Sequence, residues 1–132
     1  MNEEDVYFNE VYRTIDETFD YLGKKWNIKI IKGLFCNRNH FKDFLEMNPN
    51  LSSKVLSDRL KELEQKGIIE KKVVSSTPVQ TEYFLTKKGL KLNKIIFEIF
   101  DFALDEVKIK NEHGSKLKEK SKENLRIHLN ME

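Results

Sequence analysis

The segment from Leu51 to Lys72, read as LSSKVLSDRLKELEQKGIIEKK, constrains the fold of this chain more than any other. Its apolar residues recur at the spacing of one helical face: Leu56, Leu60 and Leu63. Ser52 is a suitable N-cap and Gly67 a suitable C-terminal stop, which predicts a helix over residues 52–66. The opposite face is polar, so we expect this helix to pack on one side and to present polar side chains on the other.

The flanking sequence predicts further helices and one β-hairpin. Apolar periodicity predicts helices over residues 6–22, 24–35 and 40–47. The triplet Asn48-Pro49-Asn50 is a turn signal before the helix over residues 52–66. Strands are predicted over 68–74 and 80–85, with a turn over 75–79. Thr86 is placed to cap a long helix that reaches about Val107. The fold class is therefore mainly α with a small β-hairpin, a winged helix-turn-helix with N- and C-terminal dimerisation helices.

Charge is distributed unevenly along the chain. Residues 23–97 carry 16 basic and 7 acidic side chains, a net charge of +9, although the whole chain carries only +2. Residues 1–22 and 98–107 are acidic, at −6 and −4. A basic middle region attracts polyanions, of which nucleic acid is the commonest. The alternative explanation is a solvated, lysine-rich surface.

The sequence lacks the residue patterns of common enzymes and metal sites. It has no glycine-rich phosphate loop, no GxSxG and no Cys-x-x-Cys pair. Cys36 and His40 are four residues apart, but a metal site needs three or four ligands. We interpret Cys36 as a small core residue or a partly exposed thiol. We therefore predict that the chain is not an enzyme, and that it has no catalytic residues, no metal and no cofactor.

Targeting signals are also missing from the sequence. The N-terminal residues are acidic and lack the apolar run of a signal peptide, and no segment is long and apolar enough to span a bilayer. A single cysteine is typical of a reducing compartment. These features predict a cytoplasmic protein with no membrane partner.

The last predicted helix carries two apolar stripes. One stripe contains Leu92, Ile95, Ile96, Ile99, Phe102 and Ala103, and the other contains Leu90, Phe97, Phe100, Leu104 and Val107. A single small domain covers one stripe, so a partner explains the second. We predict a twofold homodimer whose interface contains Phe8, Val11, Tyr12, Ile15, Phe19, Phe97, Phe100, Leu104 and Val107. In the alternative, the first helix folds back over the last helix of the same chain.

Two further expectations concern ligands and domain organisation. The aromatic residues of the terminal helices could line a pocket for an unidentified small-molecule effector, although such rings are more often plain core. We divide the chain into a winged helix-turn-helix domain with its dimerisation helices, residues 1–107, and a charged tail, residues 108–132. The tail is either a short helix from about Ser115 or a disordered segment.

The candidate DNA-binding residues lie on the polar helix face and on the hairpin. They are Ser52, Ser53, Lys54, Ser57, Asp58, Arg59, Lys61, Lys71, Lys72, Ser75, Ser76, Thr77 and Gln80. The major groove of B-DNA admits a helix and displays distinguishable base edges. Ser53 and Lys54 are expected near phosphates at the helix N-terminus. The hairpin lysines would add sequence-independent phosphate affinity.

Three residues of this set are placed to reach base edges: Ser57, Asp58 and Lys61. Asp58 can accept a hydrogen bond from a cytosine amine, or it can pair with a neighbouring lysine instead. Arg59 lies nearer the Leu60 side of the helix. A structural salt bridge or a packed stem is therefore the favoured interpretation of Arg59, and a DNA contact is the alternative.

The chain resembles the HxlR-type family of winged-helix transcription regulators, relatives of the MarR group. LGKKW at residues 22–26 is similar to the family's IGGKW, and EYFLTKKG at 82–89 is similar to its EYxLTxxG. HFKDFLEMNPNLSSKVLSDRLKELEQKGIIEKK resembles the family signature RFxEL…ISxKVLSxRLKELExxGLVxR. The resemblance spans about residues 12–105. It implies a dimer formed by the terminal helices, with the helix over 52–66 in the major groove and the hairpin in the neighbouring groove.

The chain departs from the family pattern at several positions. Many members carry a sensor cysteine near the start of the first helix, where this chain has Tyr12; Cys36 lies elsewhere, so we do not expect a thiol switch of that kind. The family's wing often has a Pro-Arg pair, and the Arg position here is Gln80, which weakens a cationic minor-groove contact. A late family tryptophan is Phe102 here, and one motif glycine is Lys24.

Taken together, these features predict a sequence-specific, DNA-binding transcriptional regulator that acts as a homodimer on inverted-repeat operator DNA. Its partners would be double-stranded DNA, a second copy of the chain and an unidentified effector. The alternative is a winged-helix protein-interaction module that does not read DNA. The acidic residues Asp58, Glu62 and Glu64 favour this alternative, because they lower the positive charge of the helix.

Overall fold

The computed structural model describes residues 1–108 and 112–131. In chain order the described elements are α1 (Glu3–Gly23), α2 (Asn27–Phe35), α3 (Phe41–Met47), α4 (Ser53–Gln65), β1 (Ile69–Ser76), β2 (Val79–Leu85), α5 (Lys87–Leu90), α6 (Asn93–Asp105) and α7 (Glu112–His128). The two strands form an antiparallel hairpin. The predicted fold class is confirmed, because a helical domain carries a single two-stranded wing after its helix-turn-helix.

Local sequence signals explain the limits of α4. The Oγ of Ser52 accepts a hydrogen bond from the N–H of Val55 at 3.1 Å, which caps the first turn. Gly67 has φ +75, a left-handed conformation that favours glycine at a helix end. The N–H of Ile68 then bonds back to the carbonyl of Leu63 at 2.9 Å. The predicted helix is therefore confirmed to within one residue at each end.

The core forms around the apolar face of α4. The largest fully buried side chains include Ile30, Ile31, Phe44, Leu56, Leu63, Ile68, Ile69, Ile96 and Leu129. They come from α2, α3, α4 and α6, from the first residue of β1 and the residue before it, and from the residue just after α7. Helix α1 contributes little to this core, because Tyr21 is its one buried residue.

The prediction of one long helix from Thr86 to Val107 was wrong. The chain forms two helices there, α5 and α6, which are separated at Lys91 and Leu92. Thr86 does cap α5, since its Oγ1 accepts a hydrogen bond from the N–H of Gly89 at 3.1 Å. A Cβ on Gly89 would lie only 2.2 Å from the carbonyl oxygen of Ile68. Glycine at this position therefore lets α5 approach the start of the hairpin closely.

Two other predicted boundaries were wrong. The second helix was expected from Lys24, but α2 begins at Asn27 because Trp26 is left-handed, with φ +85. The hairpin turn was expected over residues 75–79. The strands instead pair up to Ser76 and Val79, so that the turn consists of Thr77 and Pro78. A register irregularity between residues 73 and 75 absorbs the extra length.

Helix α7 packs along α6. Leu125, in the last turn of α7, and Leu129, just after that turn, are buried. The Nδ2 of Asn93 donates a hydrogen bond to the carbonyl of Leu129 at 3.0 Å. Lys122 lies 2.6 Å from a carboxylate oxygen of Asp101, and that hydrogen bond raises the pKa of Lys122. The structure thus shows a helix within the predicted tail. Residues 109–111 and 132 of that tail lie outside the described residues.

The assignment of the α6 stripes also changes. Phe97, expected to face a partner, is buried within its own chain, where Arg126 lies 4.9 Å from its ring. Ile95, Ile99 and Phe102, expected to face the chain's own core, are exposed. The cause is α7, which covers the side of α6 that a domain ending at residue 107 would leave open. Among the helices described, none is long and apolar enough to cross a membrane.

Candidate nucleic-acid interface

The polar face of α4 is open to solvent. Its exposed side chains include Ser52, Ser53, Lys54, Asp58 and Lys61, while Ser57 is half-buried. The opposite face is fixed in the core. The first turn of α4 holds no acidic side chain, so its free amides and the positive end of the helix dipole are available to an anion. This arrangement suits a helix that enters a groove and meets phosphates at its N-terminal end.

Three contacts hold α4 to the junction of α1 and α2. The Nε of Arg59 donates a hydrogen bond to the carbonyl of Lys25 at 3.0 Å. The ammonium of Lys24 lies 2.5 Å from a carboxylate oxygen of Glu62. The other oxygen of Glu62 accepts from the Nδ2 of Asn27 at 3.3 Å. Asn27 is fully buried and also donates to the carbonyl of Tyr21 at 2.5 Å. The structure thus places Arg59 on the scaffold side of α4.

The environment of Glu62 stabilises its charged form. Partial burial alone would raise the pKa of this carboxyl. The hydrogen bonds from Lys24 and Asn27, together with the charges of Lys24 and Arg59, outweigh that effect and hold the pKa below its ordinary value of 4.5. Glu62 is therefore an anionic anchor for α4 rather than part of a DNA-facing surface.

The hairpin exposes most of its predicted contact residues: Lys71, Lys72, Ser76, Thr77 and Gln80, with Ser75 half-buried. Successive residues of a strand point to opposite faces. Lys72 and Lys71 therefore point to opposite faces, with Glu82 and Tyr83 as their cross-strand partners. The ammonium of Lys72 lies 3.4 Å from a carboxylate oxygen of Glu70 and 5.1 Å from the Phe84 ring centroid. One hairpin lysine is thus partly neutralised within the wing.

The hairpin is tethered to the segment that leads into α3. The N–H of Tyr83 donates to the carbonyl of Asn39 at 2.9 Å. The Nε2 of His40 lies 3.5 Å from a carboxylate oxygen of Glu82. The Tyr83 ring packs edge-on against Phe44 with centroids 6.3 Å apart. Burial raises the pKa of Tyr83, and the nearby charge of Glu64 adds to that shift. These contacts fix the base of the wing relative to the helix-turn-helix.

The residues that position the site were not among those predicted from the sequence. Lys24 and Asn27 hold Glu62, and the carbonyl of Lys25 holds Arg59. The LGKKW motif contributes to the family resemblance, but helical periodicity does not predict a role for its two lysines, Lys24 and Lys25. Two exposed cations next to the wing's tether, Arg38 and Lys42, were not among the predicted contacts either. Their signal was the local positive charge alone.

The helix-turn-helix and the hairpin lie within a region that is similar to known proteins. Residues 21–111 match the HxlR-like helix-turn-helix family. The HTH-type transcriptional regulator YodB of Bacillus subtilis (strain 168) is 41% identical over 95 residues, which cover 72% of this chain and 85% of YodB. This chain belongs to the HxlR-like helix-turn-helix family. Members of this family are DNA-binding transcriptional regulators, so this HxlR-like chain is one too, and the interaction module that does not read DNA is not supported.

Solved structures agree with the assignment. The reduced form of YodB superposes with a TM-score of 0.60 at 35% identity, covering 74% of this chain and 96% of that chain. The quinone-bound YodB superposes with a TM-score of 0.60 at 37% identity, covering 71% and 97% of the two chains. The family match ends at residue 111, so α7 lies beyond the HxlR-like region.

Proposed function

We propose that this HxlR-like regulator binds inverted-repeat operator DNA as a homodimer. In this proposal α4 enters the major groove and the hairpin reaches the neighbouring groove. The observation that carries it is the polar face of α4, which stays open while three contacts fix the helix from behind. A helix held in this way presents its side chains to base edges without a large loss of conformational entropy on binding.

A second copy of the chain is supported by helix α1. This helix has 21 residues, yet Tyr21 is its one buried residue. Tyr12 and Phe19 are 65% and 72% exposed, and Phe8 and Ile15 are exposed on the same stripe, with Val11 half-buried. A long helix with an uncovered apolar stripe is stable in water only when something packs against that stripe. We infer that the partner's terminal helices cover it.

The α6 side of the proposed interface differs from the sequence prediction. Phe97 is committed to its own core, Phe100 and Leu104 are half-buried, and Val107 is exposed. The apolar face that remains open contains Ile95, Ile99 and Phe102, the last of them 73% exposed. We therefore propose that this α6 face and the α1 stripe together form the dimer interface.

Within the DNA-facing surface we propose a division of roles. Ser52, Ser53 and Lys54 would lie at phosphates beside the start of α4, whereas Ser57, Asp58 and Lys61 would reach base edges. The wing lysines and Ser75, Ser76, Thr77 and Gln80 would contact the neighbouring backbone. Arg59 would act by holding α4 in place, since its Nε already donates to the carbonyl of Lys25.

Operator selection tests the proposal. Genomic fragments of the source organism are selected with the purified protein and sequenced. We expect inverted repeats whose half-sites lie about 10 base pairs apart, one helical turn. Fragments without such a repeat, bound with affinity equal to that of random DNA, would contradict the proposal.

Alanine variants then assign the roles of the lysines. Lys54→Ala should weaken binding to operator and random duplexes alike and lower the slope of log affinity against log salt by about 1, as expected for one phosphate contact. Lys61→Ala should weaken operator binding more than random binding, because a base contact is lost. Lys91→Ala removes an exposed lysine outside the predicted surface and should leave both affinities unchanged. Equal behaviour of the three variants would contradict the assigned roles.

We further propose that a small-molecule effector regulates this DNA binding and that the protein acts in the cytoplasm. The solved quinone-bound YodB supports the first point, because it shows a small molecule bound to a similar chain. Membership of a family of DNA-binding regulators supports the second, because such a protein has to reach the chromosome.

A further inference from the structure

A cleft of about 830 Å³ lies where the α1–α2 junction, α2 and the end of α3 meet α6. One part of its wall is apolar and includes Trp26, Ile28, Met47, Phe100 and Ile99. Ile99 also belongs to the α6 face that we assign to the dimer interface, so the cleft adjoins that interface. The other part is basic and consists of Lys24, Lys25, Lys29 and Lys32. None of the described residues that line the cleft is acidic. Its volume lies within the range of small-molecule sites, about 300–1,000 Å³.

Three of these lysines have rings rather than carboxylates as neighbours. The ammonium groups of Lys25 and Lys29 lie 4.9 and 5.1 Å from the centroid of the Trp26 ring. The ammonium of Lys32 lies 5.7 Å from the centroid of the Phe100 ring. Within the described parts of the chain these three lysines form no ion pair, whereas Lys24 pairs with Glu62. Positive charges that converge on an apolar cleft repel one another, and an anion bound among them would relieve that repulsion.

The backbone at Trp26 supports a ligand-binding role. Trp26 has φ +85, a left-handed conformation that bulky residues rarely adopt. Such strain persists where the surroundings impose it, and it concentrates at ligand sites. Here it turns an indole ring toward the cleft between two lysines.

We propose that this cleft binds a small organic anion with a flat apolar body, of the aromatic carboxylate class. Lys29 and Lys32 are neighbours on the surface of α2, three residues apart, and they would neutralise the carboxylate. The aromatic body would pack against Trp26 and Phe100. A neutral ring of the same shape lacks the charge that the lysines require, and inorganic phosphate lacks the apolar body.

The same cleft is connected to α4. Lys24 lines the cleft and pairs with Glu62 of α4, and the carbonyl of Lys25 accepts the hydrogen bond of Arg59. An anion that draws Lys24 away from Glu62, or that shifts Trp26, therefore changes how α4 is held. This regulatory step rests on the proposed DNA binding, whereas binding of the anion does not.

Calorimetric titration of the DNA-free protein tests the proposal. The probes are benzoate, 3-phenylpropionate and 1-naphthoate, each compared with its primary amide and with inorganic phosphate. We expect at least one carboxylate to bind with a Kd of about 1 mM or tighter, and its amide and phosphate at least about tenfold more weakly. For the carboxylates that do not absorb near 295 nm, fluorescence of Trp26, the single tryptophan of the chain, should change with the same Kd.

Variants and DNA binding separate the outcomes. The double variant Lys29→Gln/Lys32→Gln should weaken carboxylate binding about tenfold or more, and Lys91→Gln should not. Equal binding of carboxylate and amide by the wild-type protein, or no binding of any of the three carboxylates at about 10 mM, would overturn the site. If a bound carboxylate changes operator affinity by some factor, operator must change carboxylate affinity by that same factor. Carboxylate binding without any change in operator affinity would support the binding site but contradict its proposed effect on α4.

Discussion

Glu62 is the residue on which the position of α4 depends most. It is bound by Lys24 from the α1–α2 junction and by Asn27 from the start of α2. Neither partner could be identified from helical periodicity, because both lie more than 30 positions away in the chain. From the sequence, Glu62 was interpreted as one of the acidic residues that lower the positive charge of α4, whereas its hydrogen bonds make it part of the scaffold. These hydrogen bonds contribute to the lowered pKa of the Glu62 carboxyl.

The lowered pKa of Glu62 predicts a pH dependence of stability. A carboxyl whose pKa is lower in the folded state stabilises the protein above its unfolded pKa, and this contribution is lost as the pH falls through the folded value. The folded pKa lies below 4.5. The free energy of unfolding of wild type should therefore exceed that of Glu62→Gln near pH 7, and the difference should shrink below about pH 4.5.

Urea unfolding between about pH 7 and pH 3 measures this difference. The variant Glu46→Gln, which removes an exposed carboxylate of α3, controls for the loss of one negative charge. A difference between wild type and Glu62→Gln that stays constant across the whole range would show that Glu62 is not stabilised in its charged form.

At the scale of single elements, the predicted helix limits were confirmed where residues at the helix ends determine them. Ser52 and Gly67 lie at the ends of α4 and act within one turn, so the sequence was sufficient there. The break between α5 and α6 accompanies the approach of Gly89 to Ile68, a contact between two elements that periodicity does not reveal. Phe97 is likewise buried on the side of α6 where Arg126, 29 positions later in the chain, lies against its ring.

The close approach of α5 predicts a destabilising substitution. In Gly89→Ala the new Cβ would lie 2.2 Å from the carbonyl oxygen of Ile68. Backbone must move to relieve this contact, so we expect a loss of about 1–3 kcal/mol in the free energy of unfolding. Gly23→Ala is the matched control, because nothing lies within 4 Å of its added Cβ. Urea unfolding compares the two, and equal stabilities of the two variants would contradict the proposed packing.

At the scale of the whole molecule, the described part of the chain leaves two apolar surfaces uncovered. Its apolar side chains are covered around α4, but the stripe on α1 and one face of α6 remain open. The sequence predicted that the terminal helices would need a partner, but it could not show which α6 face would be free. That choice is made by α7, whose contacts with Asp101 and Asp105 occupy the adjoining side.

Charge introduced into the open stripes should disrupt dimer formation. Phe19→Glu and Phe102→Glu each place a carboxylate where we expect an apolar interface, and a buried, unpaired charge is costly. Val79→Glu is the control, since Val79 is 71% exposed at the hairpin tip and lies outside both stripes. Molar mass from light scattering should show a dimer for wild type and the control, and a monomer for the two stripe variants. A wild-type monomer at micromolar concentration would contradict the proposed interface.

In the proposed dimer, a paired scaffold presents two copies of α4 to two half-sites. The most direct measurement is the affinity of wild type for the selected operator and for the same duplex with one half-site scrambled, at one fixed salt concentration. Scrambling should lower the affinity about 100-fold or more, because specific and non-specific binding differ by at least about 10³ for a complete site. Equal affinity for the two duplexes would contradict it.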